Sequence, residues 1–482
     1  MPAPRTPSAD APRPFYSVPS APGGGARRLL LISYSFPPDH AIGALRWQKL
    51  APFVAARGWE LDVVMCDPAD LLNTDATRLA ELPPGTRLFG VPHRAGVVER
   101  WQRRAVRAYR RVRPRAPAAA GGAGAEAPSL HREEIAAHAG GVAGLKRSYL
   151  AWQRYASDGR WARLAGELAA RIVVPGVHEA VVTSGPPHMA HLAGVDVAAR
   201  TGLPLAIDLR DPWSLRHRLA ADMASPVALR LADRYERQAV GAADLVVLNT
   251  EPLRRGMAAK YPEAAGRMIT AMNGADPEEL PPPRFGHRFT LAFAGTIYVD
   301  RDPRPLLRAA RRVIRELDLT PADFGIDFIG NAGAYGGVPV NRMAAEEGIA
   351  DYVTVGGRLP RREALDFLAG AQMLVSLPQD GTMQIPAKIF EYLNYPAWLL
   401  AFAEPDSAPD LLLRGTGADV LPLGDEERTA SAIRERYLQY RQGERPPALN
   451  ADGRFSRETQ ARVLLDALER VVQARRATPA PR

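Results

Sequence analysis

The sequence indicates an α/β protein built from two successive domains, and three features support this interpretation. A strand, a loop, a helix and a second strand follow one another at Arg28–Ser33, Gly43–Arg57 and Glu60–Met65. That order is the βαβ unit of a parallel sheet. The same alternation continues through most of the chain, and the stiff linker Pro281–Pro283 divides it into two series.

Each series can be followed element by element. The first helix places Leu45, Leu50, Phe53 and Val54 on one face and ends at Gly58. The first series continues with strands at Glu179–Thr183, Pro204–Asp208 and Asp244–Asn249 and a helix at Met189–Arg200. The second series has strands at Phe289–Ala294, Phe324–Ile329, Tyr352–Val355, Met373–Leu377 and Trp398–Ala403, and the amphipathic helix Arg457–Ala474 follows.

These elements define the predicted domains. Residues 1–26 are rich in Pro, Gly and Ser, so we predict a disordered tail. We place the first domain at 27–280 and the second at 285–455. A C-terminal helix at 456–475 follows, and packing against the first domain is one possibility for it.

Residues 94–170 break the alternation and are predicted to form an insertion with helices and a flexible segment. Eight arginines and no acidic residue lie between Arg100 and Arg115. On a helix, Arg100, Arg104, Arg107 and Arg111 would share one face, which would suit docking on an anionic membrane. A solvated basic helix or a disordered arm is the alternative.

Composition narrows the class of protein. With 482 residues, 46% hydrophobic and 24% charged, the chain suits a soluble globular protein. The net charge of +9 favours anionic partners such as phosphorylated ligands, anionic lipid or nucleic acid. The single cysteine, Cys66, excludes a disulfide framework and a site of several cysteine ligands. Without a signal peptide or a long apolar run, we expect a cytoplasmic protein, at most peripheral on the membrane.

The loops after the strands are the first places to look for a site, because open parallel sheets bind ligands beyond the carboxyl ends of their strands. The loop Phe36–Gly43 follows the first strand and opens a helix, where backbone N–H groups favour an anion. Pro38, Asp39 and Gly43 are its candidate cleft residues. The alternative is a loop that merely turns the chain.

Two later loops of the first domain carry polar side chains. Thr183–His191 would bring Ser184 to the same rim as two histidines, although histidines are often structural. Asp208–Trp213 follows a buried strand, and its charges either orient a substrate or form a self-satisfied ion-pair network. The candidate catalytic residues are His188, His191, Asp208, Arg210 and Asp211, and Ser184 is a candidate cleft residue.

In the second domain, small residues followed by arginine suit a diphosphate, with backbone donors first and a guanidinium next. Gly295, Thr296 and Arg301 have this order. Asp300 and Asp302 formally match a metal-binding Asp-x-Asp motif, but a helix N-terminus also favours Asp. Further candidates for the wall of a nucleotide pocket are Gly330, Gly357 and Arg358.

The segment Gln384–Leu393 carries Pro386 into a helix on which Lys388 and Glu391 are three residues apart. Both side chains can therefore point at one ligand. Lysine would contact phosphate, and glutamate would accept hydrogen bonds from sugar or ribose hydroxyls. A surface ion pair is the alternative.

Four of these segments together resemble the glycosyltransferase family 4-like proteins, whose GT-B architecture has two Rossmann-like domains facing across a cleft. They are Tyr34–Pro38, Ser184–Pro187, Asp208–Trp213 and Pro386–Leu393. The resemblance implies a nucleotide-sugar donor on the second domain, an acceptor on the first, and retention of anomeric configuration. It also implies no cofactor and no obligatory metal.

Carried over residue by residue, the resemblance places Gly295, Thr296, Arg301 and Lys388 near the diphosphate and Glu391 at the ribose. Many relatives carry a second Glu that contacts the sugar, where this chain has Met383.

The expected activity is therefore retaining transfer of a sugar to a glycan, a lipid-linked or a small-molecule acceptor. Three alternatives stay open from the sequence. They are a sugar-nucleotide epimerase on the same fold, a non-catalytic binder of nucleic acid or anionic surfaces, and an inactive relative.

Overall fold

The computed structural model of the protein describes residues 12–21, 27–93, 129–137, 139–276, 280–284, 286–298, 301–378 and 381–477. The Arg-rich run and Asp300 lie outside this range, so the hypotheses about them stay predictions. Among the described helices, none combines the length and apolar content that a membrane crossing requires.

The first sheet has eight strands in the order β1-β4-β3-β2-β6-β7-β9-β10, and all neighbours are parallel except β1 and β4. Its central strands are continuous runs of buried residues, as expected for a sheet covered on both faces. The strands are Tyr16–Ser17 (β1), Arg28–Ser33 (β2), Glu60–Cys66 (β3), Arg87–Val91 (β4), His178–Gly185 (β6), Leu205–Leu209 (β7), Leu245–Leu248 (β9) and Met268–Thr270 (β10).

Helices cover both faces of this sheet. The helices of this half are Leu45–Ala56 (α1), Arg132–Ala137 (α2), Gly141–Ile172 (α3), Ala190–Thr201 (α4), Pro226–Ala242 (α5) and Glu251–Lys260 (α6). A short antiparallel pair, Ser129–His131 (β5) and Arg218–Ala220 (β8), lies outside the sheet.

The second sheet has six parallel strands in the order β15-β12-β11-β16-β17-β18. Its strands are Phe289–Thr296 (β11), Phe324–Asn331 (β12), Val353–Val355 (β15), Met373–Ser376 (β16), Trp398–Phe402 (β17) and Asp419–Leu421 (β18), and Ala334–Tyr335 (β13) pairs with Val338–Pro339 (β14). The helices of this half are Arg304–Glu316 (α7), Val340–Glu346 (α8), Arg361–Ala369 (α9), Ala387–Tyr392 (α10), Ala408–Leu413 (α11) and Glu426–Arg441 (α12).

The last helix, Arg457–Ala477 (α13), returns to the first sheet. Its Leu464, Leu465 and Leu468 share an apolar core with Trp47 and Leu50 of α1. The chain therefore crosses between the two halves twice, which ties them together.

Two parts of the first domain differ from the sequence expectation. Residues 12–21 of the predicted disordered tail include β1, which pairs with β4 and forms the edge of the first sheet. Helix α3, assigned to an insertion, buries Trp161, Ala162 and Ala165 in the main core. Its buried face consists largely of alanine and glycine, which allows close packing but gives a weak apolar pattern.

Candidate active site

A cavity of about 1200 Å³ lies between the two halves. On the first sheet its wall follows the carboxyl ends of β2, β6, β7 and β9, and on the second half it is formed mainly by the segment that opens α10. Of the predicted site residues, those that line it are Gly43, His188, Arg210, Asp211, Pro386 and Glu391. This is the position at which open α/β sheets bind ligands.

Asp208 does not reach this cavity. Its carboxylate is fully buried and accepts four hydrogen bonds: two from Arg46, at 3.0 Å each, one from Trp47 Nε1 at 2.8 Å and one from Ser184 Oγ at 3.0 Å. Arg46 also donates to the carbonyls of Ala271 and Met272, at 2.8 and 3.0 Å. Asp208 and Ser184 therefore fit the alternative interpretation of a self-satisfied network, in which the carboxylate is hydrogen-bonded to Arg46, Trp47 and Ser184.

Arg210 borders the cavity, but its guanidinium is committed to the backbone. It donates to the carbonyls of Gly43 at 2.5 Å, Pro186 at 2.6 Å and Gly185 at 3.1 Å. A Cβ at position 43 would lie 3.1 Å from Arg210 Nη1, so Gly43 makes room for this arginine. Arg210 therefore braces the two strand-end loops against each other.

The two predicted histidines lie one behind the other. His188 lines the cavity and stacks on Trp213, with ring centroids 5.1 Å apart and planes at 18°. Neither of its ring nitrogens has a hydrogen bond among the described residues, although the Pro212 carbonyl lies near. His191 lies deeper, is fully buried, and shares a 2.8 Å hydrogen bond through Nδ1 with Thr183 Oγ1.

Burial keeps both rings neutral. Desolvation lowers the pKa of His188 well below its ordinary value, and the charges of Arg216 and Arg210 lower it further. Desolvation lowers the pKa of His191 to about 3. At neutral pH, His188 is therefore a neutral donor or acceptor of hydrogen bonds on the cavity wall.

The histidines predict a loss of stability in mild acid. An unfolded chain protonates His191 near its ordinary pKa of about 6.5, whereas the folded protein resists until about 3. The folded protein therefore has its full stability above the pKa that His191 has in the unfolded chain. It loses stability as the pH falls from that value towards the pKa of His191 in the folded protein. Between pH 7 and pH 5 we expect His191 to lower the free energy of unfolding by about 2 kcal/mol. Urea unfolding of the wild type and His191→Gln at both pH values measures it, and equal pH dependence in the two proteins would contradict it.

Asp211 joins the two halves of the cavity. Its Oδ1 accepts a 2.8 Å hydrogen bond from Nε2 of Gln384, in the loop before α10. Both residues line the cavity. Asp211 and His188 are therefore the predicted catalytic residues whose polar atoms remain available at the cavity wall.

On α10, the predicted pair of Lys388 and Glu391 is formed. The Glu391 carboxylate accepts from Lys388 Nζ at 2.8 Å and from Arg361 Nη1 at 3.0 Å. The Glu391 side chain is 13% exposed and that of Lys388 is 39% exposed. The pair is partly enclosed, with Glu391 on the cavity wall and Lys388 beside it.

The other predicted donor residues gather at a neighbouring edge, outside the cavity lining. Gly295 and Thr296 end β11, and Gly295 lies beside Gly330 of β12. Arg301 donates to the carbonyls of Thr296 and Pro378, both at 2.9 Å, and its guanidinium lies over Tyr298. Gly357 accepts from the amide of Gly330 at 3.0 Å, and Arg358 is exposed on the following loop.

Pro38 and Asp39 also lie outside the cavity lining. The Asp39 side chain accepts from the amide of Ala41 at 2.9 Å and is nearly buried, and its carbonyl accepts from Arg78. These contacts shape the loop after β2. Pro38 and Asp39 therefore fit the alternative interpretation, in which the loop merely turns the chain. Gly43 alone of the three predicted residues in this loop reaches the cavity.

The described residues contain no group of three or more His, Cys, Asp or Glu side chains placed to hold a metal ion. Asp302 of the Asp-x-Asp match accepts from the amide of Arg304 at 3.0 Å, so it serves the start of α7. The independence from metal stays a prediction.

Comparison with solved structures identifies the architecture. The lipopolysaccharide outer core galactosyltransferase WaaB is similar to this chain, with a TM-score of 0.52 and 11% identity over 92% of this chain and 99% of WaaB. The sucrose-phosphate synthase of Thermosynechococcus elongatus has a TM-score of 0.55 and 14% identity over 93% and 100%. The chain has the GT-B fold. HepE of Anabaena, solved with UDP-glucose, has a TM-score of 0.52 and 11% identity over 92% and 99%. The sequence matches no protein-family model and none of the curated proteins compared with it.

Within this GT-B cleft, Met383 turns away from the large cavity. Its side chain packs against the core of the first domain, and Cε lies 3.1 Å from where a Cβ would stand at Gly256. Its carbonyl accepts from Thr250 Oγ1 at 2.6 Å. Position 383 therefore fastens the loop before α10 to the first domain.

Several residues of the cleft carry no clear functional signal in the sequence. Arg46 was overlooked because an arginine within an amphipathic helix normally faces solvent. Gln384 opens the segment Gln384–Leu393, two residues before Pro386, and this position was the available signal. Further residues lining the cavity are Arg216, Asn249 and Asn273.

Proposed function

We propose that this protein is a retaining glycosyltransferase that moves a hexose from a nucleotide-sugar donor to an acceptor. The observation that carries the proposal is the cleft of a GT-B fold with Pro386 and Glu391 on one wall and His188 and Asp211 on the other. HepE, a structural neighbour, was solved with UDP-glucose, which supports the donor class. The acceptor is a glycan, a lipid-linked sugar or a small molecule that enters from the first domain.

In this mechanism the donor diphosphate lies at the edge formed by Gly295, Thr296 and Arg301, with Lys388 nearby. Positive charge and backbone N–H groups stabilise the diphosphate as it leaves, so no protein nucleophile is needed. Glu391 accepts hydrogen bonds from ribose hydroxyls. The neutral ring of His188 binds a substrate hydroxyl, and a filled cleft excludes water and so suppresses donor hydrolysis.

Hydrogen exchange tests the placement of the donor. Ligands that bind only the folded state reduce local opening around their site. We expect UDP, GDP or ADP to protect the described residues near Gly295 and the segment Lys388–Glu391. Protection confined to the first domain would contradict the assignment.

Turnover tests the reaction itself. Nucleotide sugars should release nucleotide faster when an acceptor is added, and the product should keep the anomeric configuration of the donor. Isomerisation of the sugar without nucleotide release would favour the epimerase, and binding without turnover would favour a non-catalytic protein.

We also propose a cytoplasmic location with peripheral contact to anionic membrane. Besides the Arg-rich run, an exposed apolar face of helix α3 supports this contact. On α3, Val142, Leu145, Tyr149 and Trp152 follow a 3-4-3 spacing, fall on one face and are each more than a third exposed. Residues 141–157 include three basic residues and no acidic one. This composition suits a helix lying at an anionic interface.

If this face of α3 docks on membrane, the protein should bind anionic vesicles, and salt should weaken the binding. Leu145→Glu with Trp152→Glu should abolish co-sedimentation with anionic vesicles, whereas Leu438→Glu, at a leucine on α12 that is 41% exposed, should leave it unchanged. Equal recovery on anionic and neutral vesicles at low salt would contradict the proposal.

A further inference from the structure

Position 383 leaves one part of the donor without a protein contact. Many relatives of the resembled family carry a glutamate there that contacts the sugar, but Met383 packs against the first domain. The Thr250 hydroxyl donates to the Met383 carbonyl at 2.6 Å and fixes the backbone at this position. A side chain that swung towards the cavity would lose its apolar packing against the first domain. Another residue must therefore contact the sugar if the cleft holds a nucleotide sugar.

The neighbouring residue provides such a contact. Gln384 lines the cavity and donates through Nε2 to Oδ1 of Asp211 at 2.8 Å. This hydrogen bond leaves the Oε1 of Gln384, its second N–H and the Oδ2 of Asp211 to serve a ligand. We propose that Asp211 and Gln384 form a subsite for two neighbouring hydroxyl groups of the donor sugar, an inference that rests on the proposed function.

The chemistry of the pair fits neighbouring hydroxyls. Each hydroxyl both donates and accepts, and the pair offers two acceptor oxygens and one donor N–H. The carboxylate of Asp211 repels phosphate, whereas Lys388, Arg301 and Arg361 are on the second domain and attract it. The charges therefore direct the diphosphate to the second domain and the neutral sugar to the pair.

His188 is an independent indication that a polar ligand belongs in this cavity. His188 is 6% exposed and lines the cavity, and neither of its ring nitrogens is hydrogen-bonded among the described residues, although the Pro212 carbonyl lies near. Buried polar atoms normally have partners, so an unpaired ring on a cavity wall indicates a polar ligand. A sugar bound by Asp211 and Gln384 has further hydroxyl groups to offer this ring.

The pair also links ligand binding to the arrangement of the domains. Asp211 belongs to the loop after β7, and Gln384 belongs to the loop before α10. A sugar held by both residues contacts both halves of the cleft. A nucleoside diphosphate, which has no sugar on its β-phosphate, does not reach the pair.

This difference provides the experiment. Calorimetry on the full chain compares UDP with UDP-glucose, GDP with GDP-mannose and ADP with ADP-glucose, for the wild type, Asp211→Asn and Gln384→Leu. We expect the nucleotide sugar to bind at least tenfold more weakly to each variant, and the diphosphate to bind within twofold of the wild type.

Thr250→Val is the matched control. It removes the neighbouring hydrogen bond between the domains, from Thr250 Oγ1 to Met383 O, without touching the cavity lining. A substitution that acts only through the arrangement of the domains should therefore change the affinity for the nucleoside diphosphate and the affinity for the matching nucleotide sugar by the same factor.

The outcomes separate this subsite from the proposed function. If Asp211→Asn and Gln384→Leu reduce the affinities for the diphosphate and the nucleotide sugar equally, or reduce neither, the result would overturn the subsite alone. Failure of the wild type to bind every nucleotide tested would overturn the proposed function, and the subsite with it.

Discussion

Asp208→Ala is expected to lower the free energy of unfolding by about 3–5 kcal/mol, because the change leaves Arg46 as a buried charge without its partner. The Asp208 side chain is fully buried and that of Arg46 is 4% exposed. Trp47 and Ser184 would lose their acceptor as well, and an unpaired buried donor adds to the cost. Urea unfolding at neutral pH measures the loss.

A surface pair of the same chemistry is the control. Arg57 and Asp466 pair at 2.6 Å between α1 and α13, and their side chains are 30% and 43% exposed. Asp466→Ala should cost less than about 1 kcal/mol, because solvent screens exposed pairs. A similar cost for the two substitutions would show that Asp208 is not the centre of a buried network.

A further substitution at the same position separates positioning from catalysis. Asp208→Asn keeps a side-chain oxygen as acceptor but loses the charge that holds Arg46. If Asp208 acts only through the loops it fixes, the folded variant should keep the pH profile of the wild type while its turnover falls. A new pH dependence would instead indicate that Asp208 takes part in proton transfer.

Much of the sheet structure could be predicted from the sequence, because its central strands are short apolar runs between polar loops. Arg28–Ser33 was predicted with the bounds it has, and Phe289 and Phe324 begin strands as expected. The strand Arg87–Val91, next to the edge of the first sheet, was missed because its apolar run is interrupted by glycine. Helix α3 was missed as a core element because its buried face is small residues rather than large apolar ones.

The site was harder to predict than the fold, since its partners are far apart in sequence. Asp208 is 162 residues from Arg46, and no local pattern reveals that pairing. A carboxylate at a strand end looks the same in the sequence whether it contacts substrate or a buried arginine. Asp211, three residues later, meets the cavity because the chain has left the strand. The helical spacing of Lys388 and Glu391, by contrast, is local, and it places the two side chains in contact as expected, while their role towards a ligand stays a prediction.

Lys388→Ala is expected to weaken binding of a nucleoside diphosphate by about 1.5–3 kcal/mol, the range for a hydrogen bond to a charged group. The lysine is held by Glu391 at 2.8 Å yet remains 39% exposed, so its ammonium can turn from the carboxylate to a phosphate. Calorimetry with UDP, GDP and ADP measures the change. Arg254→Ala is the matched control, since Arg254 and Glu251 form a pair of the same spacing on α6 at 2.7 Å.

Glu391→Ala is expected to reduce turnover at least tenfold while the fold stays intact, because the cavity wall loses its hydroxyl acceptor. The stability cost should be small, since Lys388 and Arg361 are both partly exposed and are solvated once the carboxylate is gone. The double variant, with alanine at both Lys388 and Glu391, shows whether the two residues contact the ligand or only each other. If both residues contact the nucleotide, removing Lys388 and Glu391 together should weaken donor binding more than either change alone. If affinity and turnover stay at wild-type values in all three variants, the pair is a surface ion pair and the donor site lies elsewhere in the cleft.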